Sequence, residues 1–257
     1  MSGAKTATAS KDFFNVTERL IGGLLAEIKP ELATLDAASP EYGRKTSTAF
    51  FLAKAFKTYK AINLLVEHNY HQDAALLART IFEILLQIRY VSDAAERGER
   101  FLKHDPVDRY YFYMKLSKFP DLVKGIANRG AELEALKDQF DELEADYAKN
   151  KGWWGSDLRS LAESLGCEKD YLRVYPLYST LVHSTSTSVK HYVQAIDHRL
   201  ELDVGPSGLG RSLAGFEIAT GFVLLVAHVT AAAWGLADSA AELLAEAQKV
   251  AEPDLKG

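Results

Sequence analysis

Arg79 and Glu83 stand one helical turn apart within Ala74–Val91, a stretch in which 13 of 18 residues are apolar. Farther along, Tyr175, Ser179 and His183 recur at intervals of four, with Tyr178 and Val182 beside them. Guanidinium, carboxylate, hydroxyl and imidazole are the parts of a phosphoryl-transfer site. Arginine stabilises charge on a crowded phosphorus, and histidine moves protons near neutral pH. The same residues could instead close on themselves. A buried Arg–Glu pair must satisfy its hydrogen bonds, and a serine and a histidine can complete the set and fix helix register. Both readings stand on the sequence.

Other chemistries lack parts. Ser179 and His183 share one helix face, but no Gly-x-Ser-x-Gly elbow or oxyanion loop accompanies them. His68-x2-His71 and His191-x6-His198 have helical-face spacing, with Glu67, Asp73 and Asp197 nearby. No His-Glu-x-x-His or paired Glu-x-x-His motif supports them, so they read as surface histidines and no metal is expected. No phosphate loop or dinucleotide fingerprint occurs, and no cofactor is expected. Lys54, Lys57 and Lys60 drift around their helix and read as a solvated face.

These side chains need helices to position them. Seven prolines punctuate the chain, and long proline-free runs lie between them. Helical stretches are expected over 11–36 (bent at Gly22-Gly23 and interrupted at Pro30), 41–69, 72–95, 96–104 and 106–118. Pro40 should occupy the first position of the second, behind Ser39, and Pro176 the first position of the helix carrying Ser179 and His183. Trp153, Trp154 and Gly155 lead to Ser156, the expected cap of a short helix. Strand signals are nearly absent. The 72–95 helix is apolar on both sides, with Leu77, Ile81, Ile84 and Ile88 on one face and Leu76, Phe82, Leu86 and Tyr90 on the other. It belongs in the middle of a bundle, which would bury Arg79 and Glu83. From Ile218 to Ala237 only His228 is ionisable, a run long enough to span a bilayer. Its many Ala, Gly and Thr residues, and Glu217 and Asp238 at its edges, read instead as a core helix, so no membrane partner is expected.

Composition bounds the rest. The 257 residues are 47% hydrophobic and 25% charged, as in ordinary globular chains. The net charge of −5 argues against a general nucleic-acid coat. One cysteine, Cys167, cannot form an internal disulfide, and the first residues lack the apolar core of a secretory signal. A cytoplasmic setting is expected. Residues 130–150 hold seven acids against Lys137 and Lys149, an excess equal to the whole net charge. Leu133, Leu136, Phe140, Leu143 and Tyr147 make a narrow apolar stripe among them. The expectation is a single all-α domain over 1–257, a bundle of seven to nine helices. Residues 119–150 would form a peripheral acidic arm on which a protein partner could dock. Oligomeric state is not legible.

The order of these motifs resembles a known pattern. An Arg-x-x-x-Glu in an apolar helix (Arg79, Glu83), a Trp-x-Gly before a short helix (Trp153 or Trp154 with Gly155) and Tyr-x-x-x-Ser-x-x-x-His (Tyr175, Ser179, His183) resemble a bacterial family of all-helical proteins of unknown function. The resemblance covers about residues 45–195. It implies a polar cluster inside a helical bundle and no agreed reaction. By fold-level analogy such families look like helical ribonuclease toxins, the HEPN superfamily. That implies a metal-independent ribonuclease of defence or toxin type, whose signature is Arg, four to six residues, then His. The match here, Arg97-x6-His104, is one that chance supplies in a chain of this length, and Gly98 follows the arginine where a polar residue belongs. A composite site, Arg79 from one helix and His183 from another, would do the same chemistry on RNA or take a small ligand. Glu83 and Ser179 would support it, and Tyr175, Tyr178 and Trp154 would line it. The competing expectation is a non-catalytic binding or interaction module in which the cluster is structural.

Overall fold

The computed structural model describes residues 2–119, 121, 129–143, 152–182, 186, 189–196, 199–202, 205–206 and 214–251. Helices follow one another as α1 (Ser2–Ala33), α2 (Tyr42–Glu67), α3 (His71–Ser92), α4 (Ala95–Leu102) and α5 (Asp105–Leu116). Then come α6 (Arg129–Leu143), α7 (Leu158–Ser164), α8 (Glu168–Val182), α9 (Val189–Tyr192), α10 (Ala214–Ala233) and α11 (Ala237–Ala251). Nine of these run eight residues or longer. The protein is an all-α multi-helix bundle. One small antiparallel ribbon, β1 (Val193–Ile196) with β2 (Arg199–Leu202), is added, without an Asn-Gly or Asp-Gly turn signal to announce it. Leu200 and Leu202 on β2 are 78% and 72% exposed, so β2 lies outside the core.

Around α3 the bundle closes. Ala78, Ile81, Phe82, Leu85 and Ile88 are all buried, which is the all-round apolar pattern of a central helix. Helices α2, α10, α8 and α4 pack about it, and α1 and α11 lie against α10. Aromatic contacts tie the layers: Phe82 meets Phe222 of α10 at 5.1 Å, and Tyr59 of α2 meets Phe216 at 5.6 Å. Segment 215–233 of α10 is long and apolar enough to cross a membrane, and half of it is buried within the bundle.

The hydroxyls buried between α2 and α10 are partnered. The Tyr59 hydroxyl shares a 2.9 Å hydrogen bond with Thr220 Oγ1, and that hydroxyl donates to the Phe216 carbonyl. Burial pushes the Tyr59 phenol up from 10.0 to about 12. Its neutral form is therefore favoured by folding, and the unfolded chain loses this proton first. Stability from this group is complete below pH 10 and falls as pH rises toward about 12, by roughly 2–3 kcal/mol in all. Denaturant titrations at pH 9 to 12 should show a shallower alkaline loss in Tyr59→Phe than in the wild type. Parallel profiles would show that this phenol carries none of the alkaline sensitivity.

Several boundaries differ from expectation for identifiable reasons. Pro30 does not interrupt α1, which runs on to Ala33. The carbonyl left without a donor is that of Ala26, and both residues are exposed, so water can satisfy it. Pro40 falls outside α2, in the turn where Tyr42 N–H donates to the Ser39 carbonyl. Pro176 lies inside α8 and does not begin it. The carbonyl left without a donor is that of Leu172, and both residues are exposed, so water can satisfy it. Short helix α7 is capped by Asp157, whose carboxylate accepts from the Ser160 N–H, and not by Ser156. Those hydrogen bonds hold the Asp157 carboxyl below its ordinary range.

Acidic helix α6 packs on α5. Phe140 stacks on Tyr110 at 4.3 Å and meets Tyr111 edge-on at 5.1 Å, and Leu136 is buried with it. Tyr147 lies outside the described residues.

Candidate functional site

Arg79, Glu83 and Gln87 of α3 are spaced four apart and form a ladder along one side of it. Arg79 Nε donates to Glu83 Oε1 at 2.9 Å, the pairing that one helical turn allows. Gln87, one turn on, donates its amide to the Glu83 backbone carbonyl. Its oxygen accepts from Trp153 Nε1 at 3.3 Å. Beyond it, the Trp153 carbonyl accepts from Arg100 Nε at 2.7 Å, which joins α4 to the ladder. The Trp153 ring packs edge-on to Tyr90 and Phe101, so its indole is fixed by an aromatic cluster.

Across from Arg79 lies α8. An Arg79 Nη2 donates to the Tyr175 hydroxyl at 2.7 Å, and the guanidinium carbon sits 4.1 Å from that ring's centre. Tyr171, one turn before Tyr175, stacks on it at 5.0 Å with an interplanar angle of 15°. The Arg79 and Glu83 side chains are 15% and 30% exposed. The pair is thus half-buried: helix α3 is central, but the edge that carries the pair faces α8 and keeps some contact with water. Ser179, the next step beyond Tyr175, has its Oγ buried without a hydrogen-bond partner. Described residues of α8 end at Val182, so His183 lies outside them and its placement is not part of this geometry.

Tyr178 is buried in the core beside Val174, and burial pushes its phenol up. Trp154 is half-buried, packed edge-on to Trp153, with its Nε1 buried and unpartnered. Of the residues chosen from sequence, the described ones brought into direct contact are therefore Arg79, Glu83 and Tyr175. Tyr171, Gln87, Trp153 and Arg100 join them without having been chosen as site residues. A signal for two of these was present: Gln87 continues the interval from Arg79 and Glu83, and Tyr171 extends the Tyr175–Ser179 interval backward.

Alternative motifs point elsewhere. Arg97 pairs with Asp93 and covers the Tyr90 ring, and His104 Nδ1 faces Asp108 at 3.0 Å. Among the described residues no group of three metal-ligating side chains converges. His68 shares a hydrogen bond with the Leu64 carbonyl, while burial lowers the pKa of His71.

Chemically the cluster offers a planar cation aligned by a carboxylate and an aromatic ring, with a second tyrosine stacked alongside. Guanidinium suits phosphate or carboxylate, and the tyrosines suit a flat apolar group. A model for a family of unknown function, DUF5677, matches residues 47–199, the segment that contains every element of the cluster. No curated protein and no solved structure matches the chain.

Proposed function

We propose that this chain, which belongs to the DUF5677 family of unknown function, is a metal-independent ribonuclease of defence or toxin type that grips its substrate with Arg79. The observation that carries the reading is the preorganisation of that guanidinium between two helices, held by Glu83 and Tyr175 beside a stacked tyrosine pair. A phosphate would bind the free edge of Arg79 and a base would stack by Tyr171. The ribose 2′-hydroxyl attacks the adjacent phosphorus, the bond to the 5′-oxygen breaks, and a 2′,3′-cyclic phosphate and a 5′-hydroxyl result. His183, one residue past the described end of α8, would take and return the proton, and the Ser179 hydroxyl would hold its ring. Arg79 would stabilise the charge that builds on the phosphorane.

A second reading keeps the cluster structural, within a binding or interaction module. It is favoured by the fact that Arg79 already donates to Glu83 and to Tyr175 while only 15% exposed. One experiment separates the two. Purified protein is incubated with single-stranded RNA in excess EDTA, and the ends of the fragments are analysed. Cleavage to cyclic-phosphate ends, abolished in folded His183→Ala, is expected. Intact RNA at protein excess would leave the structural reading.

A further inference from the structure

On the far side of α8 from Arg79, a cavity of about 360 Å³ lies between α8, α10 and α11. Its wall is mostly apolar, with Val174 from α8, Ile218, Phe222 and Leu225 from α10 and Val250 from α11, and it carries one neutral amide, Gln248. Asp170, Arg173 and Glu217 stand around it, all exposed. Among the described residues none of the three has an ion-pair or hydrogen-bond partner for its side chain, although charges of both signs line the one space. An apolar pocket of this size with a few convergent charged groups has the character of a small-molecule site.

Gly221 supplies an independent observation. It lies in the interior of α10, where glycine is the poorest residue other than proline. Gly215, earlier in the same helix, has a packing reason: a Cβ there would meet the Cβ of Ala75 at 3.3 Å. At Gly221 a Cβ would meet nothing within 4 Å, and its φ is not positive, so neither close approach nor backbone conformation demands glycine. What the missing side chain does is leave the cavity open, because Gly221 lines it.

We propose that this cavity binds a small amphiphile with an apolar body and a cationic head. The body would lie on Phe222, Leu225 and Val250 across Gly221, and the head between the Asp170 and Glu217 carboxylates. Two carboxylates against one guanidinium give the lining a net negative charge, which favours an ammonium over a carboxylate head. Neither Arg79 nor RNA enters the proposal, so it stands or falls apart from the nuclease reading.

A matched pair of probes tests it: phenylbutylamine and phenylbutyrate share a body and differ in the sign of the head. Thermal melts of the full chain should rise by about 3–6 °C with phenylbutylamine at tenfold its Kd. Phenylbutyrate should give no rise. Gly221→Leu places a side chain in the empty space, so it should fold, melt no lower than the wild type and lose the shift. Glu217→Gln should weaken phenylbutylamine binding several-fold while leaving the unliganded melt unchanged. No shift with phenylbutylamine, an equal shift with both probes, or a full shift retained in Gly221→Leu would overturn the proposal. If Gly221→Leu fails to fold, Gly221→Ala, which half-fills the space, should reduce the shift, and an undiminished shift would count equally against it.

Discussion

Arg79→Lys is expected to slow RNA cleavage by about 10²–10³-fold, the cost of removing one preorganised charge donor from a phosphoryl-type transition state. Lysine keeps the positive charge, so the effect isolates geometry. Arginine here donates to Glu83 through Nε and to Tyr175 through Nη2 and lies over the Tyr175 ring. A single ammonium cannot reproduce that fork, nor grip a phosphate through two parallel hydrogen bonds. Stability should change little. With Arg79 and Glu83 at 15% and 30% exposure, water screens the pair, so its loss should cost about 1 kcal/mol, or 2–4 °C in Tm. The deeper burial expected from the apolar sequence of α3 would have implied a larger penalty. Cleavage rate and melting temperature should therefore separate. A variant that cleaves like the wild type would remove Arg79 from the chemistry. One that melts 10 °C lower would return the cluster to a structural role.

Gly98→Ala should be the most disruptive single-methyl change in the protein. Gly98 of α4 and Gly43 of α2 meet backbone to backbone: a Cβ on Gly98 would lie 2.4 Å from Arg44 N, and one on Gly43 would lie 2.4 Å from Glu99 N. Backbone atoms cannot swing aside as a side-chain tip can, so the helices must part. Parting them strains the buried hydrogen bond from Ser47 Oγ to the Gly98 carbonyl and loosens Phe101 from Phe51 and Trp153. Overpacking of this kind costs about 3 kcal/mol or more, a fall of roughly 6–12 °C in Tm for a domain of this size. A melt within 2 °C of the wild type would mean that α4 is free to shift.

Element type was legible where periodicity was long. The α3 stripe, the proline punctuation and the apolar run of α10 sufficed to place the major helices of an all-α bundle. What was missed depends on which groups face water. Pro176 looked like a helix start because proline usually breaks interiors, but an exposed turn tolerates it. Ser156 and Asp157 are both competent caps, and only the chain's approach to α7 decides between them. Gly98 read only as a departure from the Arg-to-His signature. Its meaning lies in Gly43, distant in sequence, and no local pattern connects the two. The cluster was half legible: Arg79 and Glu83 pair as their spacing suggested, whereas the contact of Tyr175 with Arg79 and the part of Trp153 join separate elements, which spacing cannot encode.

The bundle's wiring also sets a timetable. Tyr59 bonds Thr220, and Thr48 accepts from the Trp234 indole, so the core of α2 is sealed by a helix that begins only at Ala214. At about 5–20 residues per second, a nascent chain waits on the order of ten seconds between completing α3 and beginning α10. During that interval the α2–α3 hairpin holds Phe82, Tyr59 and Ile62 toward solvent, where a holdase or a neighbouring chain can reach them. Helix α8 is made before α10 yet leans on α3, so Tyr175 can reach Arg79 on an unfinished bundle. Ribosome-bound chains stalled where α8 has cleared the exit tunnel but α10 has not should therefore already pair the two side chains, while their Tyr59 remains open to solvent.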